Sequence, residues 1–330
     1  MHMADALISP AVGGVFWAFT GAGIAYCSRR VKTSDREDIV PMMGVMGAFV
    51  FAAQMINFAI PGTGSSGHMG GGLLLAMLLG PHAAFLVMAS VLSIQAMFFA
   101  DGGLLALGCN IFNLGFFPAF VAYPLFRKAL DTSLSAVFVL PSAVLGLLLG
   151  AITVIAQTML SGITEIPLGA FALAMLPIHL AIGVIEGIAT AAVVRFVRKI
   201  HPAKFSPPAT SGALAFSILI VALVTGGALS WFASSQPDGL EWSIAKAAQK
   251  EEISGYDSAT HDALAAVQKT SAFLPDYTFE QSSSEPASPT RWPAIDSGTS
   301  LAGVTGGVLT FFVILLFGLA LRKSGQPRQA

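Results

Sequence analysis

The chain opens Met1-His2-Met3-Ala4-Asp5-Ala6-Leu7-Ile8-Ser9-Pro10, which sets a terminal amine and an imidazole on adjacent residues. A divalent ion can take the Met1 amine, the deprotonated amide nitrogen of His2 and His2 Nδ1 together, closing a five-membered and a six-membered ring that share the amide nitrogen. Three ligands then lie in one plane, and a fourth nitrogen completes the square that Ni(II) and Cu(II) favour. Histidine is the commonest source of such a nitrogen. His68 stands at the end of the loop Ile60-Pro61-Gly62-Thr63-Gly64-Ser65-Ser66-Gly67-His68. Glycines at 62, 64, 67, 70, 71 and 72 let that chain approach closely. Read singly, His2 is the second residue of a terminus and His68 the cap of a short helix. On one side of a membrane, Met1, His2 and His68 make a four-nitrogen site. Such a plane disfavours Zn(II), which prefers a tetrahedron, and suits Ni(II) better than Co(II). Binding displaces protons from the amine and the amide, so affinity is expected to fall with pH.

The elements that must position these residues are transmembrane. Of 330 residues, 55% are hydrophobic and 11% charged, against roughly 25% charged in soluble domains. Apolar runs recur from end to end, as expected when each span must satisfy its own backbone as a helix. The fold class is all-α, a polytopic integral membrane helical bundle. Helices are expected at about 10–28, 39–59, 67–79, 82–100, 103–127, 135–160, 168–198, 211–234 and 300–321, seven and then two. The third is short for a span. If it crosses, 13 of the 17 Lys and Arg fall on one side and the remaining four sit in a long loop, so the N-terminus is expected outside. The first apolar run lacks a basic region before it and is followed by Arg29, Arg30 and Lys32, which reads as a retained helix and a free terminus.

Domains follow from composition. Residues 1–200 form the metal-binding membrane unit, and 201–212 a cytoplasmic linker with three prolines. Residues 213–330 contain two transmembrane helices flanking an external segment at about 235–299 that holds ten of the eighteen acids. Those acids could concentrate cations, though a solvated surface explains them as readily. The net charge of −1 points to no nucleic acid. Cys27 and Cys109 lie in apolar surroundings as packing residues. Gln54 with Asn57, and Asn110 with Asn113, are three apart and so share helix faces; with Ser66 they are candidates to orient the loop behind the ligands, interhelical hydrogen bonding being the alternative. His179 and Glu186 share a face of one helix, costly in lipid without a partner, and read as structural or subunit contacts. Small residues Gly14, Ala18, Ala22 and Ala25 give the first helix a close-packing face.

Several motifs resemble a known family. The opening decapeptide, Gln54-Met55-Ile56-Asn57-Phe58, the loop from Pro61 to His68 with Gly70-Gly71-Gly72, the run from Ala100-Asp101-Gly102-Gly103 to Asn110-Ile111-Phe112-Asn113, and Gly183-Val184-Ile185-Glu186-Gly187 are similar to CbiM/NikM substrate-binding components of energy-coupling-factor transporters. Pro237-Asp238-Gly239-Leu240-Glu241 and Leu274-Pro275-Asp276-Tyr277 with the last helix resemble the small CbiN/NikN component, fused here. The resemblance implies uptake of Ni(II) or Co(II) as cargo, no prosthetic group, and ligands at Met1, His2 and His68. It further implies a cell-membrane (inner or plasma membrane) location and partners outside this chain: a transmembrane coupling (Q-type) subunit and two cytoplasmic ATPase (O-type) subunits. No Gly-x-x-x-x-Gly-Lys-Ser/Thr motif occurs in this chain. An enzyme is not expected, for no nucleophile stands near a base. The competing reading is an autonomous secondary transporter or channel using Asp101, His179 and Glu186.

Overall fold

The computed structural model describes residues 1–34, 39–130, 135–200, 212–249, 258–279 and 292–323. The linker at 201–211 and parts of the external segment (250–257 and 280–291) lie outside them. A short 3-10 turn, Asp5–Leu7, leads into α1 (Pro10–Lys32), with Pro10 in its first turn and the Ser9 hydroxyl accepting from the Val12 amide at 3.4 Å. There follow α2 (Ile39–Gln54), a hairpin of β1 (Phe58–Ile60) and β2 (Ser65–Gly67), α3 (Gly72–Leu79) and α4 (Pro81–Phe99). Next come α5 (Leu107–Ile111), a π-helical stretch Phe112–Ala122 containing Pro118, α6 (Tyr123–Leu130), α7 (Ser135–Ser161) and α8 (Leu168–Ile200). The C-terminal part consists of α9 (Gly212–Gly227), α10 (Gly239–Ala248), α11 (Ala259–Ser271) and α12 (Ser297–Lys323), with 3-10 turns at Leu229–Phe232 and Pro275–Tyr277.

Among the described residues six helical segments are long and apolar enough to span a bilayer, one of them running from α5 through the π-helical stretch into α6, and α2 and the apolar part of α9 are shorter. Val15, Phe19, Leu160, Leu173 and Phe196 stand exposed around the outside, where lipid rather than water suits them. The chain is a multi-pass helical membrane protein, as its apolar runs predict.

Three boundaries differ from expectation. The helix foreseen at 39–59 stops at Gln54, where Met55 and Ile56 amides turn back to the carbonyls of Ala52 and Ala53 and the chain leaves for the hairpin. Asn57 is therefore off the helix and shares no face with Gln54. The helix foreseen at 67–79 begins only at Gly72, because Gly71 holds a left-handed conformation (φ 80°) open to glycine. At eight residues α3 is about 12 Å long, yet its segment still traverses the bundle. Gly70 is bonded to Gln54 at the end of α2, while the far end reaches His82, whose ring lies 5.5 Å from Tyr26 near the C-terminal end of α1. Extended backbone supplies the missing length. The helix foreseen at 211–234 ends at Gly227 and continues as the 3-10 turn.

The two C-terminal helices dock on α2 through small residues, the usual device for close approach in lipid. A side chain at Gly47 or Gly306 would collide with Ile314 or Phe51, and a Cβ on Gly226 would stand 3.0 Å from the Gly303 backbone. By contrast, the small-residue face of α1 is uncovered: Gly14, Ala18, Ala22 and Ala25 are all exposed. The external segment folds down onto the Met1 end of the bundle. Gln268 Nε2 donates to the carbonyls of Ala96 (2.8 Å) and Gly102 (2.7 Å), and the amides of Phe273 and Leu274 donate to Phe98 O.

Gly303→Leu should force α9 and α12 apart and lower the thermal midpoint of the protein in detergent, at a cost of about 1–3 kcal/mol. Gly307→Ala, whose nearest neighbour is Ala48 O at 3.8 Å, should leave the midpoint unchanged or raise it slightly.

Candidate metal site

The N-terminal strand is buried, with Met1 5% and Met3 0% exposed. Its backbone groups, sunk in an apolar bundle, must find partners. Asn110 supplies two: its Oδ1 accepts from the Met3 amide at 2.8 Å and its Nδ2 donates to the Met3 carbonyl at 3.2 Å. The Gly103 amide also donates to Met3 O at 2.9 Å, and the Ala106 amide to Asp5 Oδ1 at 2.9 Å. From above, His261 Nε2 donates towards the carbonyls of Asp5 (3.1 Å) and Ile8 (3.0 Å). Gly102 (φ 83°) passes beneath, where a Cβ would stand 2.9 Å from Asn110 Nδ2 and 3.3 Å from His2 Cβ. Only glycine leaves room there.

The hairpin loop delivers His68 from the other side. Glu186, buried on α8, accepts the amides of Gly70 at 2.8 Å and Gly71 at 3.1 Å, one on each carboxylate oxygen. Gln54 Nε2 donates to Gly70 O at 2.8 Å, and its Oε1 takes a bond from Gln95 at 2.7 Å. The loop backbone is thereby fixed within two residues of His68. His68 Nδ1 lies 3.1 Å from the Met69 carbonyl, which can only accept, so Nδ1 carries the hydrogen and Nε2 keeps its lone pair.

The rings of His2 and His68 meet at 5.1 Å between centroids with 6° between planes. His2 Nδ1 is 3.0 Å from Asp101 Oδ1, and Asp101 Oδ2 accepts the Tyr277 hydroxyl at 2.5 Å. The Met1 ammonium pairs with Asp238 Oδ2 at 3.2 Å, while Asp238 Oδ1 caps α10 by accepting the Leu240 and Glu241 amides, both at 2.8 Å. Ser66 holds this strand in place: its amide donates to Pro237 O at 2.8 Å and its hydroxyl to Gln236 O at 2.7 Å. Met1, His68, Asp238 and His179 line one small cavity of about 10 Å³, the room of a single water or bare ion, walled by Leu114, Leu147 and Ile182.

Burial drives the His68 imidazole down to about 3, with the Met1 and His2 charges acting the same way. Burial pulls Asp238 up, but the Met1 ammonium and the cap bonds outweigh it and hold the carboxyl at about 2. Asp101 is likewise raised by burial and lowered more strongly by His2 and the Tyr277 bond, ending well below the usual carboxylate range. Burial and the Asp101 charge push the Tyr277 hydroxyl well above its ordinary value.

The residues singled out from the sequence separate here. Met1, His2 and His68 come together, Gln54 braces the loop and Asn110 clamps the strand. Asn113 touches the strand only through a 3.8 Å contact with Met3 Sδ, its main partner being Gln157 at 2.8 Å. Ser66 serves the Gln236–Asp238 strand rather than His68. Asn57 offers its backbone carbonyl to Ser234 at 2.7 Å and its side-chain oxygen to nothing among the described residues. Glu186 pairs structurally with the loop amides rather than with His179, and the acids of the segment between α9 and α12 are not all solvated, since Asp238 reaches the amine. Asp101 was foreseen only in the competing ion-path reading, and Asp238 and Tyr277 were unforeseen as site residues, although the Pro-Asp-Gly-Leu-Glu and Leu-Pro-Asp-Tyr runs carry those two. Among the described residues no three His, Cys, Asp or Glu side chains form a metal cluster.

Residues 2–204 match the CbiM family, described as a cobalt uptake substrate-specific transmembrane region. The chain belongs to that family. Residues 212–323 match the PDGLE domain, whose namesake pentapeptide is Pro237–Glu241 here. An Archaeoglobus fulgidus protein with the provisional name fused nickel transport protein NikMN is 30% identical over 330 residues, 98% of each chain. The cobalt transport protein CbiM of Sorangium cellulosum is 32% identical over 217 residues, 61% of this chain and 93% of its own. A crystal structure of a truncated transition metal transporter superposes with a TM-score of 0.55 at 30% identity, covering 61% of this chain and all of the other. This CbiM-family chain is a nickel/cobalt transport protein of the CbiM/NikM type, and not an enzyme.

Glu186→Gln leaves one acceptor for two loop amides and should destabilise the fold by about 1–3 kcal/mol, read as a lower thermal midpoint. The unfolded chain protonates His68 near 6.5 and the folded chain near 3, so stability of the protein without added metal should fall as pH drops through that window. His68→Gln should remove up to one proton of that dependence, about 1.4 kcal/mol per pH unit, in melting curves recorded against pH.

Proposed function

We propose that this chain captures Ni(II) or Co(II) for an energy-coupling-factor importer, holding the ion by the Met1 amine, the His2 amide and imidazole nitrogens, and His68 Nε2. The observation that carries this reading is the convergence of Met1, His2 and His68 at one buried place, on two separately braced arms of backbone. A four-nitrogen plane favours Ni(II) of the two.

Two local changes accompany binding. The Met1 amine loses its proton and its tie to Asp238. The His2 ring makes a half-turn, because its Nδ1 now faces Asp101 and the chelate needs that nitrogen. The half-turn puts Nε2–H where Cε1 stood, next to the place Nδ1 leaves, and a small shift of Asp101 along the ring edge then makes the Tyr277–Asp101 pair the support of a ligating imidazole. His2 Nε2 is buried without a partner as it stands, and the half-turn gives it one.

Import is completed by proteins outside this chain, a membrane coupling subunit and two cytoplasmic ATPases, at the cell membrane. Asp101 and Glu186, which an autonomous cation path would use, are engaged with His2 and with loop amides respectively, and this favours the capture role.

An extension of a few residues before Met1, leaving His2 and His68 intact, tests the amine. The native chain should form a yellow diamagnetic Ni(II) complex and the extended chain should bind at least about 100-fold more weakly, since tridentate chelation is lost. Unchanged binding overturns the assignment. Tyr277→Phe should weaken Ni(II) by about 10- to 100-fold without removing the colour.

A further inference from the structure

His179 is the buried polar group that the capture site leaves unused. Its Nδ1 lies 2.8 Å from the Met175 carbonyl on the same helix. A carbonyl only accepts, so the hydrogen sits on Nδ1 and the neutral ring's lone pair sits on Nε2. That nitrogen is buried without a partner, in a side chain 1% exposed. The ring lines the same cavity as Met1, His68 and Asp238, and the remaining side-chain walls, Leu114, Leu147 and Ile182, offer it nothing polar.

Asp238 faces that nitrogen's cavity by construction. Gly239 is packed flat on α8, where a Cβ would stand 2.6 Å from Ile178 and 3.4 Å from His179 Cε1, so the preceding carboxylate comes down onto the helix. Two amides hold its Oδ1, which leaves Oδ2 turned to the Met1 amine. When the amine becomes a metal ligand, Oδ2 is released into the cavity.

We propose that His179 Nε2 and the Asp238 carboxylate form a second, transit position for the divalent cation, in the cavity that Met1 and His68 also line. This rests on the capture reading of the Met1–His2–His68 set. His179 lies eleven residues into α8, about 16 Å along it, so the position is sunk within the helix and not at its rim. One imidazole nitrogen and one carboxylate oxygen, completed by water, suit Ni(II), Co(II) or Zn(II) and hold them more weakly than a four-nitrogen chelate. A site on a conduction path must be favourable enough to enter and weak enough to leave. Stepping from four nitrogens to two ligands lowers the hold by stages, and the Met1 amine regains its carboxylate partner once the ion leaves Asp238.

The test uses the full chain with the capture set broken as H2A/H68A, titrated with Co(II) alone and followed by its visible d–d absorption. The double variant should still take one Co(II), at least 100-fold more weakly than the wild type. Adding H179A should weaken that band by at least tenfold, and adding D238N instead should do the same; D238N is the arm to read if the histidine variant fails to fold by gel filtration. A band that survives both additions, or no Co(II) uptake by a folded double variant, overturns the transit position, and Nε2 is then satisfied by a water. A double variant that still forms the wild-type yellow Ni(II) complex overturns the capture reading itself, and its colour tells that failure from the other.

Discussion

An ammonium group taken into an apolar bundle has to be paired, because removing one partner of a buried ion pair strands the other at a cost of about 3–5 kcal/mol. The Met1 terminus is in that position, and its partner is Asp238, 237 residues away. That one requirement ties the ends of the fold together. It calls for a strand at Gln236–Asp238 aligned on Ser66, a helix α10 capped by the same carboxylate, and a glycine flat enough for α10 to lie on α8. The external segment is consequently part of the site's wall and not an appendage to it.

The same economy of partners shapes the two arms that meet at the cavity. The N-terminal arm is extended backbone in a place without water, and Asn110 imitates a neighbouring strand by offering one acceptor and one donor to Met3. The His68 arm is a chain of glycines, which alone would be loose. Glu186 uses both carboxylate oxygens on its amides, and the Gln54–Gln95 pair takes its carbonyl. These polar side chains belong to α2, α4, α5 and α8, so the rigid spans aim the loops. Sites held this way depend on side chains that touch no ligand, which is why the effects of Glu186 and Tyr277 reach the metal only through backbone and ring orientation.

The spans were legible in the sequence because lipid enforces them: any backbone crossing it is helical, and the apolar runs from Pro10, Pro81, Ser135 and Leu168 say so without context. Met1, His2 and His68 could be singled out as a candidate set because the pattern is local, two adjacent residues plus a glycine-bordered histidine, and the fold brings the three together. What escaped was long-range. Nothing near Gln54 announces that the helix ends there, since Met55-Ile56 is as apolar as what precedes it and only the hairpin's pairing with the Asp238 strand stops it. Asp238 looked like a surface acid and Asp101 like part of an ion path, because an acid's burial and role are decided by its partner, and theirs are the terminus and His2. Glu186 was seen as costly in the membrane but its partner, a pair of glycine amides, leaves no mark in composition.

The arrangement also bears on why an ion so well matched to a planar nitrogen set need not be trapped by it. Two of the nitrogens proposed to bind have a partner waiting: the amine has Asp238 and the His2 ring has Asp101, while the ring nitrogen of His68 is neutral by burial, so no proton need be found for it when a metal goes. Dismantling the plane would exchange those two metal bonds for bonds that already fit the fold. A closed cage of carboxylates would lack that property, since losing its cation would leave like charges facing each other in a low dielectric. Capture by terminal and backbone nitrogen, as proposed, with carboxylates one step behind, would let strong binding and release share one site.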